Sequence, residues 1–326
     1  MEKPKACAIG VELHLFHLHA GCLWMNSHGS DKIVPAILLS LFAIVLFDLM
    51  GLIIKHLSEN YNAAELSTYR NFFGLIPSAI ALWSSRQWHQ KGRILRMRQW
   101  RLACLRGLIT TFAQFLFYLS LGRLAFATAT TVTYSNALFM TALAVPLLGE
   151  KVGIARWLAV GIGFLGVVMI VGPMGDSFSY DALLPLGAAF LYALSGVMSR
   201  MLDLDVPSPL INLYSTVVSF MGAIMLTFIA GGFSALNDPA DLGWIFAMGC
   251  LGGSAVLVLV ISFRMTEQSN LAPFNYFGIL SAFIFGWMFF NETPIDDLFP
   301  GALLIIFGGL LIIWRDRRVR RNRAQK

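Results

Sequence analysis

The chain has 326 residues, 57% of them hydrophobic and 13% charged, with a mean hydropathy of +0.70. That balance excludes an ordinary soluble globular domain, in which about a quarter of the residues are charged. A formal charge of +6 and a pI near 9.3 would suit a nucleic-acid binder. Here, however, the basic residues punctuate apolar runs instead of forming one face, so the reading is a membrane protein with the lipid bilayer, and no nucleic acid, as partner.

Residues 1–32 read as a cytoplasmic amino-terminal segment. Its "HLFHLH" at 14–19, near Cys7 and Cys22, lacks metal-ligand spacing, so no metal is expected. Residues 1–24 differ in character from the rest of the chain, and "MNSHGSDK" from Met25 leads straight into the first apolar run, which marks 1–24 as a spurious upstream extension. Cys104 and Cys250 stand singly in apolar runs and offer no disulfide framework.

Apolar segments long enough to cross a hydrocarbon core as helices lie near 33–54, 66–84, 102–121, 126–148 and 152–171. Five more run near 181–199, 209–230, 243–263, 271–290 and 297–314. The longest internal connection, "SSRQWHQKGRILRMRQWR" at 84–101, is crowded with Arg and Lys and belongs inside by the positive-inside rule. The tail from Arg315 to Lys326 reads as a basic cytoplasmic anchor. Both termini are then cytoplasmic.

Sliding the chain by 142 positions lays Ser120 on Ser262, Tyr134 on Tyr276, Glu150 on Glu292 and Gly166 on Gly308. A shift of 145 does the same for the front halves, with "GLIIK" at 51–55 on "GVMSR" at 196–200 and Tyr69 on Tyr214. The chain is therefore an internal repeat of five-span halves, 33–171 and 181–314. An odd number of spans inverts the second half in the membrane. Loop charges agree, because the basic 84–101 connection corresponds to "GGFSALNDPADLG" at 231–243, without Lys or Arg. The expected fold is all-α and integral to the membrane, with ten transmembrane helices in two inverted repeats.

No Walker loop, H-E-x-x-H pair or G-x-S-x-G elbow occurs, so neither ATP-driven pumping nor common hydrolase chemistry is indicated, and no catalytic residue or cofactor is assigned. "GIGFLG" at 161–166 has dinucleotide-fold glycine spacing, but with no strand before it the small residues read as helix-packing positions. Asp48 is the one acid well inside a spanning segment. Arg70 is expected at the same depth on the next span, so the two are expected to pair, as a structural pin, an outer gate or a proton-sensitive carboxylate. Arg106 reads as snorkelling to the headgroups.

The polar set Thr133, Tyr134 and Asn136 on the fourth span, Asn275 and Tyr276 on its twin, and Gln114, Tyr118 and Tyr192 nearby mark a solute cavity at the repeat interface. Glu150 in "LLGEKV" and Glu292 in "FFNETP" are expected to cap helix starts rather than touch solute.

Over residues 33–314 the chain resembles the drug/metabolite transporter superfamily, in its EamA branch. The resemblance rests on the two five-helix halves, on "LLGEKVGIARWLAVGIGFLGVVMIV" at 147–171 and on "FFNETPIDDLFPGALLIIFGGLLII" at 289–313, where Asn291 and Thr293 replace Gly149 and Lys151. It implies an inner-membrane secondary transporter that moves a small-molecule solute by alternating access. "NLAPFNYFGILSAFIFGW" at 270–287 points towards import of a vitamin or cofactor-like solute such as riboflavin or S-adenosylmethionine, with amino-acid or metabolite export the alternative. Proton coupling and a homodimer stay open. A membrane-embedded enzyme or sensor is the competing class; it would need a nucleophile and base or a metal cluster, and none stands out.

Overall fold

The computed structural model describes residues 33–90, 92–149, 153–171, 180–202, 206–265, 272–292 and 295–324, and among these there is no β-strand. The helices are α1 (Ile33–Leu57), α2 (Ala63–Trp83), α3 (Arg86–Gln90), α4 (Trp100–Leu121), α5 (Phe126–Thr133), α6 (Asn136–Leu148) and α7 (Ile154–Val171). After a 3-10 turn at Tyr180–Ala182 come α8 (Leu183–Met201), α9 (Ser208–Ile229) and α10 (Pro239–Met265). A second 3-10 turn, Ala272–Tyr276, leads into α11 (Phe277–Phe290), α12 (Ile295–Leu298) and α13 (Gly301–Ala324).

Each apolar segment expected from the sequence overlaps a helix among the described residues, but 126–148 and 271–290 are broken inside rather than continuous. Among the described residues, six stretches are long and apolar enough to cross a membrane: Ile33–Leu57, Trp100–Leu121, Phe126–Leu148, Tyr180–Ser199, Pro209–Ile229 and Pro239–Leu259. Three more are apolar but shorter, Trp157–Val171, Phe274–Phe290 and Gly301–Leu311. The bundle is inside out relative to a soluble protein. Its periphery exposes Leu38, Phe42, Ile80, Leu165, Met225 and Phe307, while Ser40, Asp48, Arg70, Asn71, Gln114 and Thr131 are buried. Water would not tolerate so wide an apolar belt, whereas lipid requires one.

Packing obeys the repeat. α1 lies on α10 as α8 lies on α4; α2 lies on α10 as α9 lies on α4; α6 lies on α8 as α11 lies on α1. The remaining large contacts join twin to twin: α2 with α9, α5 with α11 and α7 with α13. All of these contacts join one half to the other, so the core is shared rather than divided.

The "GIGFLG" glycines explain the tightest crossing. A Cβ on Gly166 would meet the Gly301 carbonyl, and one on Gly308 would lie 2.7 Å from the Ala159 carbonyl, so α7 and α13 touch backbone to backbone. Gly161 has open space beside it, which restricts the packing role to Gly163 and Gly166. The departure of Asn291 from Gly149 is equally physical. Both residues end their helices in the left-handed region, Gly149 at φ 66° on α6 and Asn291 at φ 54° on α11, and Asn is the side chain that tolerates that conformation best.

The basic 84–101 connection is more ordered than a loop reading suggests: α3 tucks Trp88 against Leu82 and Leu210, and Tyr214 donates to the Leu95 carbonyl at 3.0 Å.

Candidate functional site

Both repeats interrupt the same span at the same residue. In the first, α5 ends at Thr133 and α6 starts at Asn136, with Tyr134 and Ser135 between them. In the second, the 3-10 turn ends at Tyr276, where α11 begins. The run "TATTVTYSN" at 128–136 accounts for the first break, since β-branched and hydroxyl side chains weaken a helix and offer its backbone other partners. Three-residue bonds replace helical ones there: Ser135 N to Val132 O at 3.1 Å and Leu138 N to Ser135 O at 2.9 Å. In the second repeat Pro273, which has no amide hydrogen, stands in the equivalent turn.

The twin tyrosines differ in what they meet. Tyr134 lays its hydroxyl where a Cβ of Gly278 on α11 would be, and Tyr276 does the same at Gly309 on α13. The residue equivalent to Gly309 in the first repeat is Val167, which is buried, so the two rings cannot occupy equivalent places. Around the first break, the buried hydroxyls of Thr130, Thr131 and Ser135 have no hydrogen-bond partner among the described residues. Thr131 and Ser135 share one helical face. A hydroxyl left bare inside a protein costs about 1–3 kcal/mol, so such a group invites a polar ligand.

The other expected cavity residues are spread over several helices. Gln114 is buried and accepts from Asn71 Nδ2 at 2.9 Å and from Ser67 Oγ at 3.4 Å, a neutral polar bridge between α2 and α4. Tyr118 is packed in the apolar core, and Tyr192 is half-buried, edge-on to Phe117 at 6.5 Å. Thr133 returns its hydroxyl to the Ala129 carbonyl at 2.8 Å, so it serves its own helix. Asn136 and Asn275 are half-buried at the two breaks.

Asp48 and Arg70 do not pair. Asp48 turns towards α11, where it accepts a hydrogen bond from Ser281 Oγ, its one hydrogen-bond partner among the described residues. Arg70 turns towards α10 and lies against Gly252, its Nη1 donating to Asn71 Oδ1 at 3.2 Å and its Nε without a partner among the described residues. Position along a helix is set by the rise per residue, but azimuth is not, and these two side chains face different neighbours. Arg106 also departs from expectation. Instead of reaching for headgroups, it donates from Nη1 to Ser215 Oγ at 2.7 Å and from Nε to the Ser195 carbonyl at 3.3 Å, tying α4 to α9 and α8.

Glu292 does cap a helix, one that belongs to the other repeat. Its Oε2 accepts from the Phe126 amide at 2.7 Å, at the start of α5 in the other repeat, and its Oε1 pairs with Lys55 Nζ at 2.7 Å. Lys55 also donates to the Leu124 carbonyl at 2.6 Å. More links join the repeats at this end of the bundle: Tyr61 donates to Asp241 Oδ2 at 2.8 Å, and Ser234 Oγ donates to Glu65 Oε2 at 3.0 Å. Glu150, the amino-terminal His and Cys residues and residues 1–24 lie outside the described residues. Sequence reasoning missed Ser281, Asn71 and Lys55 as site residues. A single Ser in an apolar run carries no local signal, whereas Lys55 is legible as the last residue of the repeated "GLIIK".

The fold and its broken, hydroxyl-rich interior define a polytopic membrane transporter class, and the comparisons agree. The EamA-like transporter family model matches residues 34–172 and 180–314, so the chain belongs to that family. The S-adenosylmethionine uptake transporter of Rickettsia conorii is 26% identical over 81% of this chain and 87% of its own. A riboflavin transporter of Rhizobium johnstonii is 30% identical over 54% of this chain and 58% of its own, and the pseudopaline exporter of Pseudomonas aeruginosa is 24% identical over 87% and 95%. A solved protein structure superposes with a TM-score of 0.60 at 18% identity, covering 88% of this chain and 99% of that one, which shows the fold alone.

Proposed function

We propose that the protein is a secondary transporter of the inner membrane, carrying an S-adenosylmethionine-like solute by alternating access without ATP. The observation that carries this reading is the paired interruption at Tyr134 and Tyr276, one in each repeat, beside buried hydroxyls that no described protein group satisfies. Irregular backbone is tolerated at membrane depth where it lines a polar path, and repeat-related breaks provide the two halves of such a path. The long coverage of the S-adenosylmethionine relatives on both chains supports the cargo class.

In this reading the ten apolar segments are ten spans in two inverted halves. The basic 84–101 connection and both termini face the cytoplasm, and the Lys55 end faces outward. The inter-repeat bonds of Lys55, Glu292, Tyr61 and Glu65 then form a closed outer gate, a role that the sequence suggested for Asp48 and Arg70. Opening it requires breaking a few polar links near the bundle end, where Tyr61 and Glu65 are themselves buried.

Proteoliposomes test the proposal. Labelled S-adenosylmethionine should accumulate or exchange without ATP, and Tyr134→Phe and Tyr276→Phe should weaken its apparent affinity at equal expression. Absence of uptake in a well-folded preparation overturns the reading, and chemical conversion of the solute would favour the enzyme class.

A further inference from the structure

Resting on the transporter reading, we infer that Asp48 and Arg70 are two separate charge subsites for a zwitterionic solute, Arg70 receiving its carboxylate and Asp48 its cationic group. Arg70 is 8% exposed and Asp48 4%, both on helices inside the apolar belt. A charge at that depth demands a counter-charge, and such residues face partners or pathways rather than lipid. Neither supplies the other's.

The geometry keeps the two apart. Asp48 is held on α11 by Ser281, a neutral hydroxyl that solvates a carboxylate without neutralising it. Of the five N–H donors of the Arg70 guanidinium, one reaches an acceptor among the described residues, the neutral Asn71 amide at 3.2 Å, and Nε has none there. The amide is itself engaged by Gln114, so this side of the fork meets only neutral dipoles. Gly252 packs directly against the guanidinium, where a Cβ would stand 3.0 Å from Nε and 3.4 Å from Nη2, so the small residue gives the fork room without supplying an acceptor. Arg70 shares its hydrogen-bond chain with Gln114, one of the residues assigned to the solute cavity, through Asn71.

A planar fork with spare parallel donors is built for a carboxylate. A solute with a carboxylate and a cationic group on one flexible arm would neutralise both residues at once, whereas a neutral solute such as riboflavin would leave both uncompensated. This separates two of the three cargo types named for the relatives. S-Adenosylmethionine has the required pair; the isoalloxazine class does not.

The test uses the purified full-length protein in lipid nanodiscs and equilibrium binding of S-adenosylmethionine, its decarboxylated analogue, 5′-methylthioadenosine and riboflavin. The wild type should prefer S-adenosylmethionine over the decarboxylated analogue by about 30-fold, the size expected for one charge-assisted contact. Arg70→Gln should narrow that preference to below about 3-fold, with Arg70→Lys recovering part of it. Asp48→Asn should weaken both cationic probes and leave 5′-methylthioadenosine unchanged. Equal wild-type affinity for the first two probes, or preference for riboflavin, overturns the inference, and that comparison needs no variant to fold. Flux in liposomes separates the two levels. Transport indifferent to the carboxylate keeps the carrier and sinks the subsites, while carboxylate-dependent binding without flux supports the subsites and sinks the carrier.

Discussion

Two arginines occupy crossings that the repeat makes equivalent, and only one of them is satisfied. Arg70 lies where α2 meets α10, and Arg106 where α4 meets α9, the twin crossing. Arg70 comes directly after Tyr69 as Ser215 comes after its twin Tyr214, so the residue that takes Arg70's place in the second repeat is the one that receives Arg106 at 2.7 Å. Arg106 gains a hydroxyl and a carbonyl; Arg70 gains one neutral amide and, among the described residues, keeps a bare Nε. The comparison teaches that the same architectural slot can hold a cation as a fastener or keep it available. Only the available one has reason to meet solute.

The largest effect should come from breaking that distinction in transport. Arg70→Gln should cut uptake of S-adenosylmethionine at low concentration by about 30-fold, equivalent to losing one charge-assisted contact. Arg106→Gln should change it by less than about 3-fold per correctly folded molecule, and comparable losses in both variants would erase the contrast. Adding Asp48→Asn to Arg70→Gln should not restore flux, because the two side chains do not pair.

Stability should rank the two arginines in the opposite order. Arg106→Met removes hydrogen bonds from a charged donor and should lower unfolding free energy by about 1.5–3 kcal/mol in detergent. Arg70→Met removes a charge without a counter-ion and should be neutral or stabilising, as replacement of poorly compensated buried charge often is. Thermal or denaturant unfolding of the two variants side by side checks this.

Towards the bundle end the cations matter less. The Lys55–Glu292 pair is 2.7 Å long with side chains 14% and 22% exposed, so Lys55→Gln should cost about 1 kcal/mol, and joint replacement with Glu292→Gln should still leave the Phe126 amide capped by the new side-chain oxygen. A double-mutant cycle measures that coupling. Arg123, 52% exposed and 2.8 Å from Asp181, completes the series: Arg123→Ala should change stability by no more than about 0.5 kcal/mol.

Much of the architecture is legible in the sequence. Hydrophobic runs set the helices and the 142-residue periodicity sets the repeat, whereas the breaks at Tyr134 and Tyr276 lie inside segments that read as continuous. The reason is that helix length, lipid exposure and chain register are properties of local sequence. Asp48 and Arg70 stand out by the same logic, as ionisable groups in apolar surroundings.

What each of them touches is decided elsewhere. Asp48 meets Ser281, 233 residues away, and Glu292 caps α5 across 166 residues, because the halves interlock instead of packing as separate bundles. The spacing between α7 and α13 is fixed by backbone contact at Gly166 and Gly301, and such contacts set the rotation at which neighbouring helices face one another. Sequence determined how far along its helix each residue lies, since a helix rises by a constant step; tertiary structure alone decided their azimuth, and in a bundle azimuth chooses the partner.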